Sequence, residues 1–132
     1  MFQHSPIRVL LVEDNVPSLN VLKIMISQFT SKVTTAVDAE LAFELVKSHP
    51  FDLMITDIGL PGYSGDRLTS MVREYEKEHH LKPMKIVGLT GYSISDIREL
   101  CLNAGMDDVY SKPISVQELE SLVMQSAYAL ST

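Results

Sequence analysis

The chain has 132 residues, 45% of them apolar and 21% charged, with a formal net charge of −6. That length suits one domain with a sizeable buried core. The acidic balance, without any Lys/Arg cluster, argues against direct nucleic-acid binding, which needs a basic face to neutralise phosphates. No apolar run approaches the roughly 20 residues of a membrane span, so no direct membrane contact is expected. Met1-Phe2-Gln3-His4-Ser5-Pro6 lacks the basic start and apolar stretch of a secretory signal. The single Cys101 rules out an internal disulfide and fits a reducing, cytoplasmic compartment. Within Leu100-Cys101-Leu102 it reads as a small buried hydrophobe.

In chain order, Arg8-Val9-Leu10-Leu11-Val12 reads as a buried parallel strand that runs into Glu13-Asp14. A helical pattern follows from about Asn15 to Phe29. At ~100° per residue, Leu19, Leu22, Ile26 and Phe29 share its core face, while Ile24 projects ~160° from Leu22 and is expected to be exposed. Val16 and Val21 lie on opposite flanks. Lys32–Ala36 reads as a short strand, and Asp38 as the N-cap of a helix over Ala39–Ser48 with Ala42, Leu45 and Val46 on one face. His49-Pro50 stops it. The run Phe51-Asp52-Leu53-Met54-Ile55-Thr56 ends at Asp57, and the turn Ile58-Gly59-Leu60-Pro61-Gly62 follows at once.

The spacing next predicts a helix over Asp66–Glu78. Its stretch Arg73-Glu74-Tyr75-Glu76-Lys77-Glu78 mixes signs and reads as a solvated face. His79-His80 has no Cys or acid at ligand spacing and reads as an exposed helix end. Lys85-Ile86-Val87-Gly88-Leu89 runs into Thr90. A helix over Ser95–Ala104 ends at Gly105. Asp107-Asp108-Val109-Tyr110-Ser111 runs into Lys112-Pro113, with Asp107 and Asp108 as loop and strand-opening residues rather than metal ligands. Ser115-Val116-Gln117-Glu118 is a capping box opening a last helix to about Ala129. The seven Met residues are scattered, and most are expected in the core. Five strands and five helices in strict alternation predict an α/β, doubly wound parallel sheet with right-handed crossovers.

In such a sheet the polar residues that end the strands converge at the carboxyl edge. Glu13, Asp14, Asp57, Thr90 and Lys112 would meet there. Singly, Asp14 reads as a helix cap, Thr90 as a turn residue and Lys112 as a surface lysine. Together they describe a phosphoryl-transfer site that needs a divalent cation. A carboxylate and a phosphoryl group repel, and a cation between them removes the repulsion. Asp57 is the nucleophile that becomes an acyl phosphate. Asp14 and Asp57 are the direct metal ligands, for which Mg²⁺ with its oxygen preference is suited. Lys112 is a mobile cation for Asp57 and then for a phosphoryl oxygen. Thr90 offers a hydroxyl donor, and backbone N–H groups near Ile58 and Gly91 complete the cradle.

Four pieces in order, Val12-Glu13-Asp14-Asn15, Asp57-Ile58-Gly59-Leu60-Pro61 with Gly65, Leu89-Thr90-Gly91, and Gly105-Met106-Asp107-Asp108 running to Lys112-Pro113, resemble the receiver domain of two-component response regulators. The resemblance covers about residues 7–129, and its wording is most similar to receivers of hybrid sensor kinases and phosphorelays. It implies a flavodoxin-like sheet of order 2-1-3-4-5 and a single receiver domain over 1–132 with no output domain. It implies the Gly59 carbonyl as third metal ligand, Glu13 acting through a bound water, Mg²⁺ with Mn²⁺ as a substitute, no other cofactor, and a cis bond before Pro113. It also implies a phosphohistidine donor on a histidine kinase or histidine phosphotransfer domain, docking on the first helix near Ile24. The acyl phosphate would switch the domain or be relayed onward, with self-catalysed transfer and autodephosphorylation. Two departures stand out. Many receivers carry an aromatic three residues before the lysine, where this chain has Val109; Tyr110 comes one later and so faces the other way. Gly59 and Tyr92 sit two after Asp57 and Thr90, where glycine opens the site to water and tyrosine could shield it.

The competing enzyme reading is a small haloacid-dehalogenase-like phosphatase. It is disfavoured because Asp57-Ile58-Gly59 lacks the second acid of Asp-x-Asp and follows the third strand, not the first. Nucleotide-binding glycine loops are absent from the sequence.

Overall fold

The structure, a computed structural model, describes the backbone of residues 5–131 and the side chains of residues 6–128. Residues 1–4, read above for a secretory signal, lie outside the described residues. The elements alternate: β1 (Ser5–Val12), α1 (Val16–Ile26), β2 (Thr30–Ala36), α2 (Ala39–Ser48), β3 (Leu53–Asp57), α3 (Gly65–Glu78), β4 (Lys85–Thr90), α4 (Ile94–Ala104), β5 (Asp108–Ser111) and α5 (Val116–Ser131). All four pairings are parallel, and the strand order is β2-β1-β3-β4-β5. No helix among the described residues is long and apolar enough to cross a membrane.

The continuous apolar runs follow from burial on both faces of the sheet. Along β1 and β3, alternate residues feed two cores. Leu10, Val12 and Met54 join Ala42, Leu68, Val72 and Cys101 on the α2–α4 side. Val9, Leu11, Leu53 and Ile55 join Leu19, Leu22, Ile26, Leu119 and Leu122 on the α1/α5 side. Burying each such Leu or Ile contributes ~1.5–3 kcal/mol. Met54, Met84 and Met106 are buried, Met25 and Met71 half-buried, but Met124 is exposed, so the methionines are less uniformly core than expected.

Local capping sets where helices begin. Asn15, not Asp14, caps α1, its side chain accepting from Ser18 N at 2.9 Å. Asp38 caps α2 through Leu41 N at 2.8 Å. Ser115 and Glu118 form the reciprocal box, 3.0 Å in each direction. Gly105 ends α4 in the left-handed region, φ 112°, where a side chain is disfavoured. β2 starts at Thr30, two residues before the sequence suggests, because the buried Thr30 hydroxyl donates to Ile7 O at 2.7 Å and extends the pairing with β1. At the amino ends of the strands, Arg8 holds the Asp52 carboxylate through Nε and Nη2, both at 3.0 Å. Burial pushes that carboxyl up, but the guanidinium and the Arg8 backbone N–H outweigh it and hold Asp52 below its ordinary value.

One expectation needs correction. The mixed-sign stretch on α3 is not simply a solvated face. Glu76 is 4% exposed. Arg73 donates to Glu76 Oε1 at 2.9 Å, Met84 O at 2.7 Å, Gly105 O at 2.9 Å and Asp107 Oδ2 at 3.0 Å. Alternating charge seven residues before a strand looks solvated in one dimension. Here two of its members fold inward over the loop into β4. His79 and His80 are exposed, as expected.

Candidate functional site: a carboxylate cluster at the sheet's carboxyl edge

Sheet register assembles the site. Val12 pairs with Thr56, so the next residues along, Glu13 and Asp57, come side by side. Asp57 pairs with Leu89, and Thr90 with Ser111, which brings Thr90 and Lys112 to the same edge. The Lys112 N–H donates to Thr90 O at 2.8 Å and ties the lysine loop to β4. The Lys112–Pro113 bond is cis, as the resemblance implies.

Glu13, Asp14 and Asp57 each offer a carboxylate oxygen, and these oxygens lie within 4.8 Å of one another. Asp57 and Glu13 are 8% and 5% exposed, while Asp14 faces solvent. Lys112 Nζ lies 3.0 Å from Asp57 Oδ1 and 3.0 Å from Glu13 Oε1, bridging two acids with one ammonium. Glu13 Oε2 is buried with no hydrogen-bond partner, a situation that costs ~1–3 kcal/mol if left so. Burial pushes the Glu13 carboxyl above its ordinary value and Asp57 adds to that, against the hydrogen bond from Lys112. Burial alone would lower Lys112, but its hydrogen bonds to Glu13 and Asp57 outweigh it and raise it. The ammonium is therefore charged at neutral pH. Three carboxyl groups face one ammonium, and one buried carboxyl oxygen has no partner. The residues present fit a small divalent cation with oxygen ligands.

Thr90 is 2% exposed. Its Oγ1 accepts from Tyr92 N at 2.9 Å, which does not consume the hydroxyl's own hydrogen. Tyr92 is 76% exposed. Gly59 and Gly91 are also exposed, with open space where a side chain would be. Of the backbone N–H groups near Ile58, that of Ile58 itself has a partner. It donates to Leu89 O at 3.0 Å, so it is committed to β4 rather than to a phosphoryl group. Asp107 and Asp108 stand outside the cluster. Asp107 accepts from Ile86 N at 2.8 Å and Arg73, and Asp108 pairs with Arg98 at 2.9 Å. The sequence brings Glu13 and Lys112 to one edge but pairs Lys112 with Asp57 and does not foresee its direct bond to Glu13. The two residues are 99 positions apart, and no local pattern links them.

The strand-5 departure is resolved by the two cores. Val109 packs on the α2–α4 side, and Tyr110 is half-buried on the α1/α5 side. The one-residue step has reversed the face, as the pleat requires. Tyr110 is therefore expected to stay on the α1/α5 face when a beryllofluoride phosphate mimic is bound. Crystal structures with and without the mimic would check this, and a swing of Tyr110 across the sheet against Thr90 would refute it.

An α/β sheet of this order, with acids, a hydroxyl and a lysine meeting at its switch point, defines a phosphoacceptor signalling domain. The chain belongs to the response regulator receiver domain family, whose model matches residues 9–124. It is 33% identical over 118 residues to the sensor histidine kinase GacS of Pseudomonas protegens, covering 89% of this chain but 13% of that protein. Among solved structures it is similar to the receiver domain of the sensor histidine kinase PA1611 from Pseudomonas aeruginosa, with a magnesium ion coordinated in the active site cleft. There the identity is 29%, the TM-score 0.79, and the coverage 92% and 98% of the two chains. The Saccharomyces cerevisiae receiver of Ssk1, solved with the histidine phosphotransfer protein Ypd1, shares the fold at TM-score 0.90 and 23% identity, covering 98% and 94%.

Proposed function

We propose that Asp57 accepts the phosphoryl group of a phosphohistidine and that the resulting acyl phosphate switches this domain or is relayed onward. The observation that carries this reading is Lys112 held between Asp57 and Glu13 beside a third acid, with one buried Glu13 oxygen unpaired. Asp14 and Asp57, with the Gly59 carbonyl, would hold Mg²⁺ directly and Glu13 through a water. Bound there, the ion supplies charge neutralisation between attacking carboxylate and phosphoryl oxygens. An Asp57 carboxylate oxygen attacks phosphorus. The P–N bond of a phosphohistidine protonated on its other ring nitrogen breaks, and the electron pair stays on the nitrogen released, leaving neutral histidine. Lys112 follows the charge from Asp57 to a phosphoryl oxygen, and Thr90 donates its hydroxyl hydrogen to another. Wild-type protein with acetyl phosphate and Mg²⁺, or Mn²⁺ in its place, is expected to gain about one phosphoryl group per chain, and none in EDTA. Repeated hydrolysis of phosphate esters would instead favour the phosphatase reading.

The donor would be a histidine kinase or a histidine phosphotransfer domain, docking on α1. The solved pairing of the Ssk1 receiver with Ypd1 supports that class of partner, as does the likeness to hybrid kinases. Because this chain spans only 13% of that kinase's length, any assembly with kinase segments is part of the proposal, as is a cytoplasmic site of action. On α1, Ile24 is 71% exposed, Val21 57% and Val16 52%. This makes a larger apolar surface than the single Ile24 the helical wheel singled out. An apolar anchor in a polar rim is the form such contacts take. Ile24→Asp is expected to keep fold and acetyl-phosphate labelling while slowing transfer from the cognate phosphohistidine donor at least ~10-fold, about 1.4 kcal/mol. Unchanged transfer kinetics would remove Ile24 from the interface.

A further inference from the structure

α3 begins at Gly65, directly beneath the phosphoacceptor. Gly65 is buried, and its φ lies outside the left-handed region reserved for Gly62 and Gly105, so conformational freedom does not explain a glycine here. Space does. A Cβ built on Gly65 would fall inside contact distance of the Asp57 carbonyl oxygen, 2.9 Å from Ile58 Cα and 3.1 Å from the Asp57 carbonyl carbon. All three are backbone atoms, which have no rotamer by which to give way. The Asp57–Ile58 peptide and the Ile58–Gly59 peptide after it are held from other sides. Gly65 N donates to Ile58 O at 2.8 Å, Ile58 N donates to Leu89 O at 3.0 Å, and the buried Thr56 hydroxyl donates to Asp57 O at 3.0 Å. The Thr69 hydroxyl, one turn into α3, donates to Gly65 O at 2.8 Å.

We infer that Gly65 is a positioning residue: it lets the first turn of α3 seat directly on the Asp57–Ile58 peptide, and that seat aims the Asp57 carboxylate and the Gly59 carbonyl. The inference rests on the functional reading above and extends it to a residue that never touches the phosphoryl group. Any side chain at 65 must move either the helix start or the peptide. Movement of the peptide displaces Asp57 and, one residue beyond Ile58, Gly59. A misplacement of ~1 Å in a phosphoryl-transfer site costs on the order of 10²-fold in rate.

Gly65→Ala, Gly105→Ala and wild type separate positioning from stability. Gly105→Ala strains a positive-φ turn and meets Arg73 Cγ at 2.7 Å, far from Asp57 in its contacts. Its melting temperature is expected to fall with Mg²⁺ affinity and acetyl-phosphate labelling at the wild-type level. Gly65→Ala, held well below its own melting temperature, is expected to bind Mg²⁺ at least ~10-fold more weakly and to label at least ~10-fold more slowly. In metal-free protein its amide resonances for Asp57, Ile58 and Gly59 are expected to shift, against unmoved resonances in β2. Wild-type affinity and wild-type shifts in Gly65→Ala would overturn the inference, and so would equal losses in Gly65→Ala and Gly105→Ala. Should Gly65→Ala not fold, Thr56→Val decides, since it removes the hydroxyl from the same Asp57 oxygen; unchanged Mg²⁺ affinity there overturns the seat. A wild type that takes up no phosphoryl group would instead take down the functional reading, with Mg²⁺ affinity and the metal-free spectra still ruling on Gly65.

Discussion

Asp57→Asn is expected to abolish phosphoryl uptake from acetyl phosphate. Intact-mass measurement should show about one added phosphoryl group per wild-type chain and none on the variant. The substitution keeps side-chain shape but replaces an anionic nucleophile with a neutral amide that cannot form an acyl phosphate. It also leaves Glu13 and Asp14 in place, so the experiment asks which carboxylate reacts and not merely whether acids are needed. Asp57 ends β3 nearly buried, with Lys112 Nζ at 3.0 Å, a contact that Glu13 shares at the same distance. Asp14 lies in the same cluster but faces solvent. Equal uptake by both proteins would refute the assignment, and transfer of the label to Asp14 in the variant would mark the cluster as less selective than its geometry indicates.

Arg73→Met is expected to destabilise the domain by ~3 kcal/mol, a fall of ~10 °C in Tm for a chain of this size. The guanidinium serves four acceptors at once, the carbonyls of Met84 and Gly105 and the carboxylates of Glu76 and Asp107. Removing it strands Glu76, whose side chain is 6% exposed and whose other oxygen is held by Met84 N at 2.7 Å. A buried carboxylate without its cation costs more than the pair contributes, so Arg73→Met with Glu76→Leu should recover part of the loss. Urea denaturation of the three proteins gives the comparison. A single variant within ~0.5 kcal/mol of wild type would restore the view of this stretch as a solvated helix face.

How far the sequence reaches is visible at particular residues. Alternating apolar runs and caps are local, and local rules recovered them: Asp38, the Ser115–Glu118 box and Gly105 stand where their chemistry places them. Exposure of Ile24 and burial of Leu19, Leu22 and Ile26 follow from helical period alone, whereas α1 ends at Ile26, three residues before the sequence suggests, and Phe29 is buried from the turn beyond it. The opposite facing of Val109 and Tyr110 follows from the two-residue period of a strand. The meeting of Glu13, Asp14, Asp57, Thr90 and Lys112 at one edge was legible because an α/β sheet delivers the ends of its strands there, so polar residues ending apolar runs identify themselves before any coordinate is known.

What the tertiary structure decided are the matters that depend on long-range distance and on depth. Nothing in Arg73-Glu74-Tyr75-Glu76 says that the first and last turn inward, because that depends on where the loop into β4 passes over α3. Strand order cannot be read from periodicity, and with it comes the placement of Glu13 against Lys112 across 99 positions. Which backbone N–H groups near Ile58 have partners is likewise a matter of β3–β4 register, which gives the Ile58 N–H to Leu89 O. In the sequence Gly65 is part of the pattern that carries the resemblance, but only the packed backbone shows the reason, a Cβ there colliding with Asp57 and Ile58. Periodicity and capping are properties of neighbours along the chain, so the sequence determined them. Close approach and charge pairing are properties of neighbours in space, and they exist only once the sheet has brought β1, β3, β4 and the lysine loop together.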